Sequence, residues 1–159
     1  MSLAGDRGAT ATSHSGPASS PGVRGGCDLL VVDDEPIVRD AVRRVLEAEG
    51  YSVATACDAR SALAHPAAST CRALLCDLML PDRPGTEVVA ALAAARPNLP
   101  IVLTTGLVTS ENIAGAMEAA KGRLLLKPFD DTELLAAIRE ALGARVVSDR
   151  AASQEEDSP

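Results

Sequence analysis

Apolar positions along this chain switch repeatedly between two periods. Short unbroken or alternating runs predict strands at Leu29 to Val32, at 51–56 (YSVATA), at Ala73 to Cys76, at 99–106 (LPIVLTTG) and at 123–129 (RLLLKPF). Between the first two, Ile37, Val38, Ala41, Val42, Val45 and Leu46 recur at helical spacing, with Arg39, Asp40, Arg43 and Arg44 largely on the other face. Asp34 is placed to cap that helix, Glu35 suits its positive end, Pro36 fits its first turn and Gly50 stops it. A short helix is expected from Asp58 to Ala64, and a longer one capped by Thr86 carries Val88, Val89, Ala91 and Leu92 before Arg96-Pro97 ends it. Residues 110–120 predict a weak helix, since Gly115 and many small side chains leave it little to pack. The last helix, Asp130 to Leu142, buries Leu134, Leu135, Ile138 and Leu142 and is expected to stop at Gly143. Strands alternating with helices imply a parallel sheet covered on both faces.

The flanks break this pattern. Residues 1–26 are almost all Ser, Gly, Ala, Thr and Pro, a composition unable to offset chain entropy by apolar burial, so they are expected to be disordered. Residues 144–159 are polar and become acidic, which predicts a solvated tail. One domain, residues 27–143, remains.

Composition narrows the chemistry. The 159 residues are 47% hydrophobic but hold one Phe, one Tyr and no Trp, so the core must be aliphatic. A net charge of −7 opposes non-specific attraction to nucleic acid or an anionic membrane, and no apolar run approaches spanning length. Cys27, Cys57, Cys71 and Cys76 show no metal-binding spacing with each other or with His14 and His65, which favours reduced, buried thiols in a cytoplasmic protein.

The strand ends carry the candidate site. Asp77 stands where the third strand gives way to the Pro- and Gly-rich loop LMLPDRPG; alone, it is either a ligand group or a turn former. Asp33 and Asp34 follow the first strand, Thr105 the fourth and Lys127 the fifth. Thr104 is a rival to Thr105, but the apolar alternation and the following Gly106 place Thr105 at the edge. With strand order 2-1-3-4-5, Asp33, Asp34 and Asp77 share one crevice. Two unit charges roughly 4 Å apart repel by about 4 kcal/mol at an effective dielectric of about 20, so such a cluster takes up protons or a cation. An all-oxygen site suits Mg²⁺, with Mn²⁺ as a substitute. A carboxylate beside a metal, faced by a Lys ammonium and a Thr hydroxyl, is suited to phosphoryl transfer with Asp77 as nucleophile. Taken singly, Asp33-Asp34-Glu35 reads first as a helix cap and dipole partner, and Lys127-Pro128-Phe129 could be a plain strand exit.

Read together, VVDDE, DLMLPDRPG, LTTG and LLLKPF resemble, in order and separation, the receiver domain of two-component response regulators over roughly Cys27 to Gly143. That resemblance implies a flavodoxin-like α/β fold, a five-stranded parallel sheet in the order 2-1-3-4-5 with helices on both faces. It implies Asp33 and Asp34 as metal-binding acids, Asp77 as phosphoacceptor and metal ligand, and Met79 as a backbone-carbonyl ligand. It further implies Thr105 as switch hydroxyl, Lys127 as phosphate-binding lysine and a cis bond before Pro128. The partners implied are a sensor histidine kinase or a histidine phosphotransfer protein, with an unidentified protein target. Direct DNA binding and membrane association are not expected, and the protein would be a monomer or a weak phosphorylation-dependent dimer. Only self-phosphorylation and self-dephosphorylation would count as its chemistry.

Two departures stand out. Leu124 occupies the position three before Lys127 that is often aromatic in receivers, and only 16 residues follow Gly143, which reads as a stand-alone receiver. Met79 and Leu107, two beyond Asp77 and Thr105, give an apolar rim that should slow hydrolysis of an aspartyl phosphate. A degenerate receiver acting only as a binding module and a metal-dependent Asp-nucleophile phosphatase are the alternatives. The phosphatase would want an acid two beyond Asp77, where Met79 stands.

Overall fold

A computed structural model describes residues 26–107, 113–121 and 123–152, with side chains through Gly143. Its elements run β1 (Leu29–Val32), α1 (Pro36–Ala48), β2 (Val53–Ala56), α2 (Ala59–Ala64), α3 (Ala67–Thr70), β3 (Ala73–Asp77), α4 (Gly85–Ala95), β4 (Ile101–Thr105), α5 (Ala114–Ala119), β5 (Leu124–Leu126) and α6 (Asp131–Ala152). All five strands are parallel in the order β2-β1-β3-β4-β5, the flavodoxin-like arrangement expected. Helices cover both faces.

Strand alternation divides the core. Leu30, Val32, Leu74, Cys76, Ile101 and Leu103 pack with α2, α3, α4 and α5 on one face. Leu29, Val31, Leu75 and Val102 pack with Val42 and Leu46 of α1 and Leu134 and Ile138 of α6 on the other. Each fully buried Leu contributes on the order of 1.5–3 kcal/mol, and the aliphatic strands supply most of them. Tyr51 and Phe129 only line the margin of the second cluster, so the core is aliphatic as composition required.

Several element ends differ from their sequence signals. Glu35, not Asp34, takes the cap position of α1, and Asp33 Oδ1 accepts the Glu35 amide at 2.9 Å. Ile37, expected in the buried face, is 85% exposed, because α1 begins clear of the sheet. Gly50 does end α1, at φ 93°, with the Tyr51 amide donating to Leu46 and the Gly50 amide to Glu47 in a Schellman arrangement. The segment before Pro66 continues into a second short helix, α3. Thr86 lies inside α4, which begins at Gly85 because that residue is drawn onto the end of β3; its amide donates to the Leu78 carbonyl at 2.9 Å. The fifth strand shortens to Leu124–Leu126, and the weak helix to Ala114–Ala119, residues 110–112 lying outside the described residues.

The last helix passes straight through Gly143 to Ala152, so the tail expected from residue 144 is helical at its start. Gly143 does not adopt positive φ, and a mid-helix Gly costs only about 1 kcal/mol, too little to stop a helix followed by good helix formers. The expected disorder of residues 1–25 and the end of the tail, 153–159, fall outside the described residues. Cys71 and Cys76 are buried, but Cys57 is exposed in the turn after β2, against the expectation that all four thiols are buried.

Candidate active site at the C-terminal sheet edge

The switch point between β1 and β3 brings the strand-end acids together. Asp33 leaves β1 and Asp77 closes β3, and both are buried. Lys127 follows β5; its backbone amide is held by the Thr105 carbonyl at 2.9 Å, and the next peptide, Lys127–Pro128, is cis. From there its ammonium reaches Asp77 Oδ2 at 2.7 Å, Asp33 Oδ2 at 2.8 Å and Glu35 Oε1 at 3.5 Å. Asp77 Oδ1 accepts the Met79 amide at 2.9 Å, so both carboxylate oxygens are aimed. One ammonium between two buried carboxylates leaves the pocket short of positive charge.

Titration reflects that shortage. Burial pushes the Asp77 carboxyl above its ordinary range, the Lys127 and Met79 hydrogen bonds pulling against it. Burial alone would lower the Lys127 pKa, but hydrogen bonds to Asp33 and Asp77 outweigh it and hold the ammonium well above its usual value.

Glu35 joins the carboxylates read from sequence. Asp33, Asp34 and Glu35 can each bring one oxygen to within 4.8 Å of the others, whereas Asp77 joins through Lys127. Glu35 lies at extended φ and ψ (−80°, 111°), which frees its side chain for the crevice. An all-oxygen donor set with two buried, under-neutralised carboxylates fits a hard divalent cation. Sequence reasoning also left Arg39 on the solvent face; its Nη1 donates to the Asp33 carbonyl at 2.7 Å, and its place one turn after Glu35 was the available signal.

Thr105 and Thr104 are both buried at the end of β4. The Thr105 hydroxyl donates to the Leu107 carbonyl at 2.8 Å and accepts its amide at 3.2 Å, so it holds the following loop rather than Asp77. Thr104 pairs with Asp77 across the sheet. Met79 and Leu107 are largely exposed, and Leu124 is half-buried against the cluster containing Ala116 and Ala120.

Two further residues shape the loop after Asp77. A Cβ on Gly85 would lie 1.9 Å from the Asp77 carbonyl oxygen, so only Gly allows α4 to start there. Asp82 reaches across to α2, accepting the Ala59 and Arg60 amides at 2.9 Å each, while Asp58 and Ser61 form a capping box on the same helix. These amide bonds, the Ala59 amide first, hold the Asp82 carboxyl below its usual range. The loop is thereby anchored at both ends.

Among the described residues no helix is long and apolar enough to cross a membrane. Residues 29–139 match the family described as the response regulator receiver domain. The response regulator MprA of Mycolicibacterium vanbaalenii is 43% identical over 115 residues, 72% of this chain and 49% of that protein. The probable transcriptional regulatory protein TcrX of Mycobacterium tuberculosis is 33% identical over 114 residues, with the same coverage. The chain thus spans about half the length of these curated relatives. A CheY-like receiver domain from Methanospirillum hungatei superposes with TM-score 0.72 at 30% identity, covering 77% of this chain and 98% of that one. The response regulator TrrA of Thermotoga maritima, solved in complex with Mg²⁺ and BeF, gives 0.66 at 27%, covering 73% and 99%. Sheet order, strand-end acids and the match across 29–139 converge, and this chain belongs to the receiver domain family of two-component response regulators.

Proposed function

We propose that this receiver takes a phosphoryl group onto Asp77 from a phosphohistidine of a sensor histidine kinase or histidine phosphotransfer protein, and signals by altered protein contacts. One observation carries the reading: a single half-buried lysine bridges the buried strand-end carboxylates Asp33 and Asp77. In-line attack by an Asp77 oxygen forms the O–P bond as the P–N bond to histidine breaks. The Lys127 ammonium, already on Asp77, meets the charge on the equatorial oxygens, and the Met79 amide keeps the carboxylate oriented. Asp33, Asp34, Asp77 and the Met79 carbonyl would hold Mg²⁺, or Mn²⁺, which when bound adds positive charge on the transferring group. Glu35 is within reach of the same place.

Phosphorylation gives the Thr105 hydroxyl a stronger acceptor than the Leu107 carbonyl, and turning toward it releases the loop at residues 106–107. The surface of α5, β5 and α6, where Leu126 is exposed, is the output face in this reading. With Leu124 in place of an aromatic ring, the shift runs through Thr105. In this reading the acidic chain, at net charge −7, signals through proteins rather than by touching DNA itself.

A cavity of about 510 Å³ opens beside Lys127, lined by Ile37, Val38 and Val45 of α1, Phe129 and Leu134. A donor must seat next to Asp77, and exposed Ile37 at that mouth gives its helix an apolar anchor.

Mass spectrometry with a small acyl phosphate tests the assignment. Wild type with Mg²⁺ should gain about 80 Da, one phosphoryl; Asp77→Asn, or wild type with a chelator, should not. A full adduct on the Asn variant refutes Asp77. Ile37→Asp should slow transfer from a kinase while leaving the acyl phosphate reaction unchanged.

A further inference from the structure

The opposite end of the sheet holds two cysteines with no part in that chemistry. Where β1 and β3 pair, every partner is offset by 44 residues, as in Leu29 with Ala73. The offset persists before the strands begin. Arg72 Nη1 lies 3.1 Å from Asp28 Oδ1, and a Cβ on Gly26 would stand 3.2 Å from Thr70 Cβ. Between those two pairs, the same offset sets Cys27 opposite Cys71.

Neighbouring parallel strands lie about 4.8 Å apart, inside the Cα separation of roughly 4.4–6.8 Å that a disulfide spans. Both thiols also lie on one side of the sheet. Cys71 belongs to the core cluster under α2, α3, α4 and α5, and Cys27 packs against that cluster. Cys27 is half-buried and Cys71 fully buried, so only Cys27 offers a sulfur to a reagent. Arg96 adds a third feature: Nη2 donates to the Cys71 carbonyl at 2.6 Å, and Nη1 lies 3.6 Å from Cys71 Sγ, favouring its thiolate. Among the described residues the Cys57 sulfur has Asp58 and Ser61 as hydrogen-bond partners, and Cys76 lies against the Asp77 and Gly85 carbonyls at the crevice end.

We propose that Cys27 and Cys71 are a disulfide-forming pair, with Cys27 the entry thiol and Cys71 the resolving thiol. The Cys27 thiolate attacks a low-molecular-weight disulfide, one S–S bond breaks, and the first small thiol leaves with a proton. The Cys71 thiolate then attacks the Cys27 sulfur, expelling the second small thiol. Two electrons pass from the protein to the small disulfide, which is reduced to two thiols. The bridge clips the entry of the chain to the α3–β3 corner, away from Asp77. Burial pushes both thiols above their ordinary pKa, so exchange should quicken with pH, about tenfold per unit between pH 7 and 8.5.

The test uses the full folded chain carrying Cys57→Ser, which removes only an exposed thiol. It is incubated with oxidised glutathione at about pH 8.5, alkylated and digested. The mass should fall by about 2 Da, a peptide joining Cys27 to Cys71 should appear, and a reductant should reverse both. Adding Cys27→Ala to that background should abolish the loss. Alkylation of both cysteines after long exposure, a glutathione adduct that persists on Cys27, or a bridge to Cys76 overturns the proposal.

Discussion

The two ends of the β1–β3 pair carry the same chemical types and treat them oppositely. At the N-terminal edge Asp28 is partly exposed and saturated, by the Ser52 amide at 2.8 Å, the Ser52 hydroxyl and the Arg72 guanidinium. At the C-terminal edge Asp33 and Asp77 are buried and share one ammonium. A carboxylate so fully engaged has little left to offer a ligand. A buried, under-neutralised pair stores electrostatic cost that a divalent cation or a phosphoryl group, drawn to lysine, can relieve. Binding capacity therefore comes from incomplete satisfaction, not from the presence of acids.

The strongest way to break this contrast is to move the loop that aims Asp77. Gly85→Ala forces a Cβ onto a backbone oxygen that cannot step aside, so it should destabilise the domain by about 3 kcal/mol or more. Urea unfolding measures it, and acyl phosphate labelling of the folded fraction should fall as well. An unchanged midpoint would mean that α4 starts elsewhere.

The crevice rim comes next. Met79 and Leu107 are exposed beside Asp77 and Thr105, and neither side chain orients water well. If one oriented water is worth about 1–3 kcal/mol in the transition state, Met79→Asn with Leu107→Glu should speed loss of the phosphate roughly 5- to 100-fold. Decay of phosphorylated protein reads this directly, and a double variant no faster than wild type would show that water access is not limiting.

Stability against pH sharpens the electrostatic half of the comparison. Because the folded Asp77 pKa lies above its unfolded value of about 3.9, the folded state binds more protons between the two. Wild-type stability therefore declines as pH rises through the folded pKa. Asp77→Asn lacks that loss, so its stability relative to wild type should rise as pH climbs above the unfolded value, with the advantage vanishing below about pH 4. A pH-independent difference would point to packing instead. At the saturated edge the effect should be smallest. Arg72→Ala removes an exposed ion pair and should cost no more than about 0.5 kcal/mol, with phosphorylation unaltered.

Much of this was legible along the chain. The parallel sheet and the placing of Asp33, Asp77, Thr105 and Lys127 at strand ends follow from apolar runs that stop at polar residues, a local pattern, whereas the strand order came only with the resemblance to receivers. Helix boundaries were less legible, because Asp34, Thr86 and Gly143 carry cap or stop signals that packing overrode. α4 begins where Gly85 meets Asp77, and α6 continues because one Gly costs too little to end it. What only the tertiary structure decided are contacts between residues far apart in sequence. Glu35 turned into the crevice, Asp82 capped α2, and the Thr105 hydroxyl bound Leu107. Local period determines which face a residue occupies, but the partner on that face is set by strand order and register, which pair positions as far apart along the chain as Lys127 and Asp33.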